Sequence, residues 1–173
     1  ELGAFLSDSM LFDARIAWLN TEITKSHLAL DNVESEAATN ALIAQGFNLF
    51  SPEIEVARAA QIADVRGNSL PKTPKMTANI ALIHTTSIDG WGDVKSSLSY
   101  TYRGDFKHRV FNNTTTDNVA SYHTLDVMVK LSPNDASWRV ELIGKNITDD
   151  AGINARFTDC LLYTSDAADE VLG

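Results

Sequence analysis

Between His123 and Asp150 the chain reads HTLDVMVKLSPNDASWRVELIGKNITDD, and apolar and polar positions alternate through most of it. Leu125, Val127, Val129 and Leu131 fall on one side, and Thr124, Asp126, Met128 and Lys130 on the other, the period of a β-strand. Ser132-Pro133-Asn134-Asp135 supplies turn residues, Pro by fixing φ and Asn and Asp by bonding their own backbone. Trp138, Val140 and Leu142 then alternate with Arg139, Glu141, Ile143 and Lys145, so the stretch predicts a hairpin with one apolar face. The same period runs through Met76, Ala78, Ile80 and Leu82, set against Lys75, Thr77, Asn79 and Ala81. After the hairpin signal Asp89-Gly90 it recurs in Val94, Ser96, Leu98, Tyr100 and Tyr102, opposite Asp93, Lys95, Ser97, Ser99, Thr101 and Arg103.

The first third is less regular. Residues 1–6 read as the end of a strand, Ser7 to Met10 as a reversal, and Phe12 to about Thr24 as a second strand whose phase slips at Trp18 and Leu19, the signature of a β-bulge. A long connection follows from Lys25 to Lys72. Within it Glu34 to Gly46 (ESEAATNALIAQG) is rich in helix formers and ends in a capping Gly, so a short helix is expected there. Asp64 to Pro74 is irregular, with two prolines ahead of the next strand. Asp105 to Val119 reads as a polar loop.

These connections alternate short and long, which places the tight turns at one end of the strands and the elaborate loops at the other. That is the plan of an outer-membrane β-barrel. The strands from Lys75 onward run to about ten to thirteen residues, nearer the roughly 9 to 11 of membrane strands than the 5 to 6 usual in soluble sheets. Charge is sorted accordingly. The apolar faces named above hold no Lys, Arg, Asp or Glu, while Lys75, Asp93, Lys95, Arg103, Asp126, Lys130, Arg139, Glu141 and Lys145 share the opposite parity and are the candidates for lining a lumen. An Arg or Lys turned into mid-bilayer costs about 2 to 4 kcal/mol, so lipid demands this sorting; a soluble sandwich core demands it too, but needs a second sheet as cover. Tyr100 and Tyr102 near the loop end and Trp138 near the turn end suit aromatic girdles, whereas Trp91 falls on the charged face by parity. The fold class expected is all-β, an antiparallel up-and-down transmembrane barrel portion with one short helix in its long loop.

Composition narrows the function. No apolar run approaches the ~20 residues of a membrane-spanning helix, and the mean hydropathy of -0.12 suits a barrel or a soluble protein. A net charge of -9 without a basic cluster argues against nucleic acid. A single Cys160 excludes an internal disulfide and a Cys-built metal cage. His27, His84, His108 and His123 are scattered with no nucleophile elbow beside them, and no phosphate or dinucleotide fingerprint occurs, so no catalytic, cofactor-binding or metal-binding residue is assigned. Asp105, His108 and Asp117 share one loop, where a solvated polar surface is the expected reading rather than a metal site. Asn113-Thr114-Thr115 and Asn146-Ile147-Thr148 match glycosylation sequons but read as turn and loop residues.

Several segments in order resemble the C-terminal barrel portion of TonB-dependent outer-membrane receptors: Glu1-Leu2-Gly3 with Ala17-Trp18-Leu19-Asn20-Thr21-Glu22-Ile23-Thr24; Gly67 to Asn79 (GNSLPKTPKMTAN); Ser99-Tyr100-Thr101-Tyr102-Arg103-Gly104-Asp105; and Trp138 to Asp149, similar to the family's penultimate strand with Ile147 where Leu is usual. The resemblance covers residues 1–159. It implies a barrel of roughly 22 strands with a plugged lumen, of which about six or seven are here. It further implies active uptake of a scarce nutrient of the siderophore, cobalamin or oligosaccharide class, energised by the TonB complex through a plug domain, at the outer membrane of a Gram-negative bacterium. Lipid outside the wall and a small-molecule ligand at the long loops, Lys25 to Lys72 and Asp105 to Val119, are the partners expected. The chain starts without an initiator Met or signal pattern, so plug and leader are expected upstream. Cys160 to Glu170 (CLLYTSDAADE) resembles a translated sequencing-library adaptor, so residues 160–173 are expected to be non-native; discounting Asp166, Asp169 and Glu170 takes the net charge from -9 to -6. Two other readings remain open at this level: a soluble carbohydrate-binding β-sandwich and an outer-membrane barrel enzyme.

Overall fold

A computed structural model describes residues 1–153; the end of the expected barrel portion and the adaptor-like tail 160–173 lie outside the described residues. The described chain divides into two units, one formed by Glu1–Thr21 with residues 69–153, the other by Glu22–Asn68.

The first unit is a six-stranded antiparallel sheet. Its strands are β1 (Leu2–Ser7), β2 (Met10–Trp18), β5 (Met76–Ile88), β6 (Gly92–Arg103), β9 (Tyr122–Pro133) and β10 (Val140–Gly144), in that spatial order. Each strand pairs with its neighbour in this meander, and β1 and β10 each pair on one side only, so among the described residues the sheet is not closed. The lengths of 13, 12 and 12 residues for β5, β6 and β9 bear out the expectation of long strands. The β5–β6 and β9–β10 reversals carry the chemistry expected of them. Gly90 takes φ +71°, and Gly92 lies so close to β9 that a Cβ there would sit 2.2 Å from the Ser132 carbonyl oxygen. Beyond Pro133 the Ala136 N–H donates to the Pro133 carbonyl, and Asp135 accepts the Ser137 N–H at 3.1 Å, an Asx turn.

Two boundaries differ from the sequence reading. The second strand ends at Trp18 rather than near Thr24: the Leu19 N–H still reaches the Lys75 carbonyl, after which the chain leaves the sheet, so the change of phase marks an exit and not a bulge. The register irregularity sits instead in β1, between Phe5 and Ser7. The last strand is also short, with Trp138 and Arg139 preceding it and Lys145 following it. Trp91 lies in the β5–β6 turn, so strand parity does not assign it a face.

The loop Asp105–Val119 carries a two-residue ribbon, β7 (Phe106–Lys107) against β8 (Asn118–Val119). The second unit contains β3 (Leu28–Leu30), paired with β4 (Ile62–Asp64), and two helices between them, α1 (Asn32–Ala44) and α2 (Pro52–Ala59). The helix expected over 34–46 is α1, displaced by two residues because Asp31 supplies the N-cap, its carboxylate accepting the N–H groups of Val33 and Glu34. Its end is a Schellman motif: Gly46 at φ +96° lets the Phe47 N–H reach the Leu42 carbonyl and the Gly46 N–H the Ile43 carbonyl. Pro52 at the first turn opens α2. No described helix is long and apolar enough to cross a membrane, which says nothing of a β-barrel.

Candidate functional site: two faces of the sheet and the long loops

The strand register sorts side chains into rows. One row runs Leu2, Ala14, Ile80, Tyr100, Leu125 across five strands, and the next runs Ala4, Phe12, Leu82, Leu98, Val127, Gly144 across six. On this face the strands place no Lys, Arg, Asp or Glu. Burial is incomplete: Leu98 is 43% exposed, Leu142 64% and Trp18 76%. An apolar surface continuous over a whole sheet and left uncovered by the described residues is far larger than scattered surface hydrophobes explain. A sandwich needs a second sheet over this face; the other two sheets of the described residues are two-residue and three-residue ribbons.

The other face carries the charges. Asp93, Lys95, Arg103, Asp126, Lys130 and Glu141 all lie within strands and share it. Lys75, Arg139 and Lys145 lie just beyond strand ends, a correction to their expected place within strands. Neighbours across strands are now explicit. Lys95 opposes Lys130, and Lys130 opposes Glu141 on its other side, so one register row carries two ammonium groups and one carboxylate. Asp93 accepts from the Ser87 hydroxyl at 2.6 Å, Arg139 meets Glu141 at 3.3 Å, and Asp126 accepts the Asn146 N–H at 2.8 Å, fixing the exit of β10. Arg103 lies 4.4 Å over the Phe106 ring.

The polar expectation for this face is incomplete. Phe5, Leu11, Ile83, Ser97, Met128 and Ile143 form one register row across all six strands, apolar except for Ser97. The charged rows flank it, Lys95–Lys130–Glu141 toward the turns and Asp13–Ala81–Ser99–Asp126 toward the loops. Each strand contributes only one such residue among polar neighbours, so periodicity within a strand does not reveal the row; register does.

The Asp105–Val119 loop departs from its expected solvated character. Asp117 is fully buried and His108 nearly so. Asp117 pairs with Arg109 at 2.6 Å and accepts the Asn113 N–H at 2.9 Å, while Asn112 ties the loop to Ser69. The charge is paired, which is what burial of a carboxylate requires. Metal-type clusters of three or more His, Cys, Asp or Glu do not occur among the described residues.

The sheet thus offers one apolar face, an opposite face for ions and hydrogen bonds, and long loops at one end. Such a sheet, with long strands, tight turns at one end and one charge-free face, is built as a portion of a β-barrel wall. The family comparison agrees. Residues 33–148 match the family described as TonB dependent receptor-like, beta-barrel, and the chain belongs to it. Its members are receptors and transporters of the Gram-negative outer membrane. No curated protein and no solved structure matches the chain.

Proposed function

We propose that the chain forms part of the barrel wall of an outer-membrane receptor that actively imports a scarce nutrient, of the siderophore, cobalamin or oligosaccharide class, energised by the TonB complex acting through a plug domain. The observation that carries this reading is the charge-free apolar face on a sheet of long strands, within a chain of this receptor family. Bilayer lipid covers that face. Lys75, Asp93, Lys95, Arg103, Asp126, Lys130, Arg139, Glu141 and Lys145 then belong to the lumen side. The apolar row from Phe5 to Ile143, bordered by charged rows, favours a wall packed against protein over one that bounds only water. The wall carries no catalytic step in this reading, and residues 160–173 take no part in it.

The test is nutrient-limited growth of bacteria whose only receptor of this kind is the present one, with and without TonB. Growth on iron chelates, cobalamin or oligosaccharides that requires both the receptor and TonB is the expected result. Growth that requires the receptor but not TonB contradicts energised transport.

A further inference from the structure

On the charge-free face, the register row nearest the Leu82–Leu98 row on its tight-turn side is Met10, His84, Ser96, Val129 and Leu142. His84 and Ser96 stand directly opposite each other on β5 and β6, and Thr86 lies one row nearer the turn, beside Val94 and Leu131. They form a polar patch within rows that are otherwise apolar. The remaining polar side chains of this face, Tyr100, Tyr102 and His123, lie toward the loops. His84 is four residues inside the end of β5 at Ile88, about 13 Å along the strand at roughly 3.3 Å per residue. With the ~40° tilt of barrel strands that is about 10 Å of depth from the turn that holds Trp91, inside the hydrocarbon. Among the described residues neither the His84 ring nor the Ser96 hydroxyl has a hydrogen-bond partner. Water satisfies such groups on a soluble surface, but acyl chains do not, and an ionisable side chain at this depth calls for a partner. A hydroxyl of the same copy meets at most one of the two ring nitrogens.

We infer that this patch is a contact between two copies of the receptor, which lay their β5–β6 walls against each other in the membrane. The inference goes beyond transport and rests on the lipid-facing reading of this face. The occupant follows from complementarity. An imidazole and a hydroxyl each offer a donor and an acceptor, so the patch matches itself. A two-fold axis along the membrane normal, passing between β5 and β6, sets each His84 against the partner's Ser96, and one surface supplies both halves of the contact. No Lys, Arg, Asp or Glu on this face sets like charges against each other when two copies meet. Lipid phosphates do not reach it, because it lies below their level. Leu82, Leu98 and Val94 surround the polar pair with apolar packing, and Ser and His side chains join transmembrane helices by the same bonds. The association is reversible: diluted in lipid, or with a bulky label on the patch, the copies part and lipid covers the wall.

The experiment counts copies of the full-length receptor, each carrying one fluorophore on a loop, by stepwise photobleaching in lipid vesicles over a range of protein-to-lipid ratios. Pairs that separate on dilution are expected. His84→Leu and Ser96→Val each remove both symmetry-related bonds and should weaken the association about tenfold. Unchanged heat-modifiable gel mobility verifies that both barrels stay folded. In outer membranes, with Cys160→Ser as background, a short bis-maleimide should join copies bearing Leu98→Cys and should not join copies bearing Ile16→Cys. Single copies at every ratio, pairs that form equally well in both variants, or cross-linking at 16 and not at 98 overturns the inference. So does a single copy that carries a phospholipid lost on His84→Leu, which makes the patch a lipid site. The lipid-facing reading fails separately: if a water-soluble maleimide labels Leu98→Cys in the separated copies, water and not lipid covers the wall.

Discussion

Trp91 and Trp138 meet edge to face, their ring centroids 5.8 Å apart and their planes at 67°. One belongs to the β5–β6 turn and the other to the approach to β10, and the Asn134 N–H donates to the Trp91 carbonyl at 2.9 Å. The two tight turns are therefore joined at the same end of the sheet, where an interfacial aromatic is well placed. T-shaped pairs contribute about 0.5 to 1.5 kcal/mol beyond the area they bury. A double-mutant cycle of Trp91→Ala and Trp138→Ala, read by urea unfolding in lipid vesicles, should return a coupling of that size. Strict additivity would show that the contact contributes nothing.

The Asp105–Val119 loop should be a rigid platform because its charges are buried as a pair. Arg109 is 13% exposed at the side chain and Asp117 not at all. Removing one partner of such a pair typically costs about 3 to 5 kcal/mol, since the other charge remains buried. Asp117→Ala is expected to speed hydrogen exchange at the His108 amide, which donates to the Asp117 carbonyl, by on the order of 100-fold or more, with the β5–β6 ladder unchanged. Equal protection in both proteins would mean that the ion pair does not hold the loop.

The β3–β4 ribbon should be insensitive to mild acid. The Ser26 hydroxyl bonds the Asp64 carboxylate at 2.7 Å, and the Arg66 and His27 N–H groups add to it, so the Asp64 pKa lies below the ordinary 3.8. A depressed carboxylate pKa contributes stability that is fully present above the unfolded value and is lost as pH falls through the folded one. The Asp64 side-chain carboxyl shift should therefore stay constant through mild acid and change only below the ordinary carboxylate range. With Ser26→Ala the transition should move upward. A transition already complete at pH 5 would contradict the hydrogen-bonding scheme.

How much of this was legible in the sequence follows from where one interaction dominates. Residues 76–88, 92–103 and 122–133 alternate because successive side chains of a strand point to opposite faces of the sheet, one apolar and one mainly polar, so period two identified them and their common face. Leu19, Thr21 and Ile23 go on alternating after Trp18, although the chain has left the sheet; alternation reports a preference and not the presence of a partner strand. Helix α2 went unassigned because eight residues inside an irregular stretch carry little periodic signal, although Ser51-Pro52 with Glu53 and Glu55 has the chemistry of a helix start. The burial of Asp117 was not legible, because Asn and Thr repeats read as surface and only the fold brings Arg109 to it.

The central claim is that the face bearing Leu98 meets lipid and the face bearing Lys95 does not. The most direct measurement places single cysteines along 94–101, with Cys160→Ser as background, labels each with a fluorophore, and reads quenching by brominated lipids in reconstituted vesicles. The account predicts quenching that alternates with period two, strong at 94, 96, 98 and 100 and weak at 95, 97, 99 and 101. Uniform quenching, or the opposite phase, would contradict it.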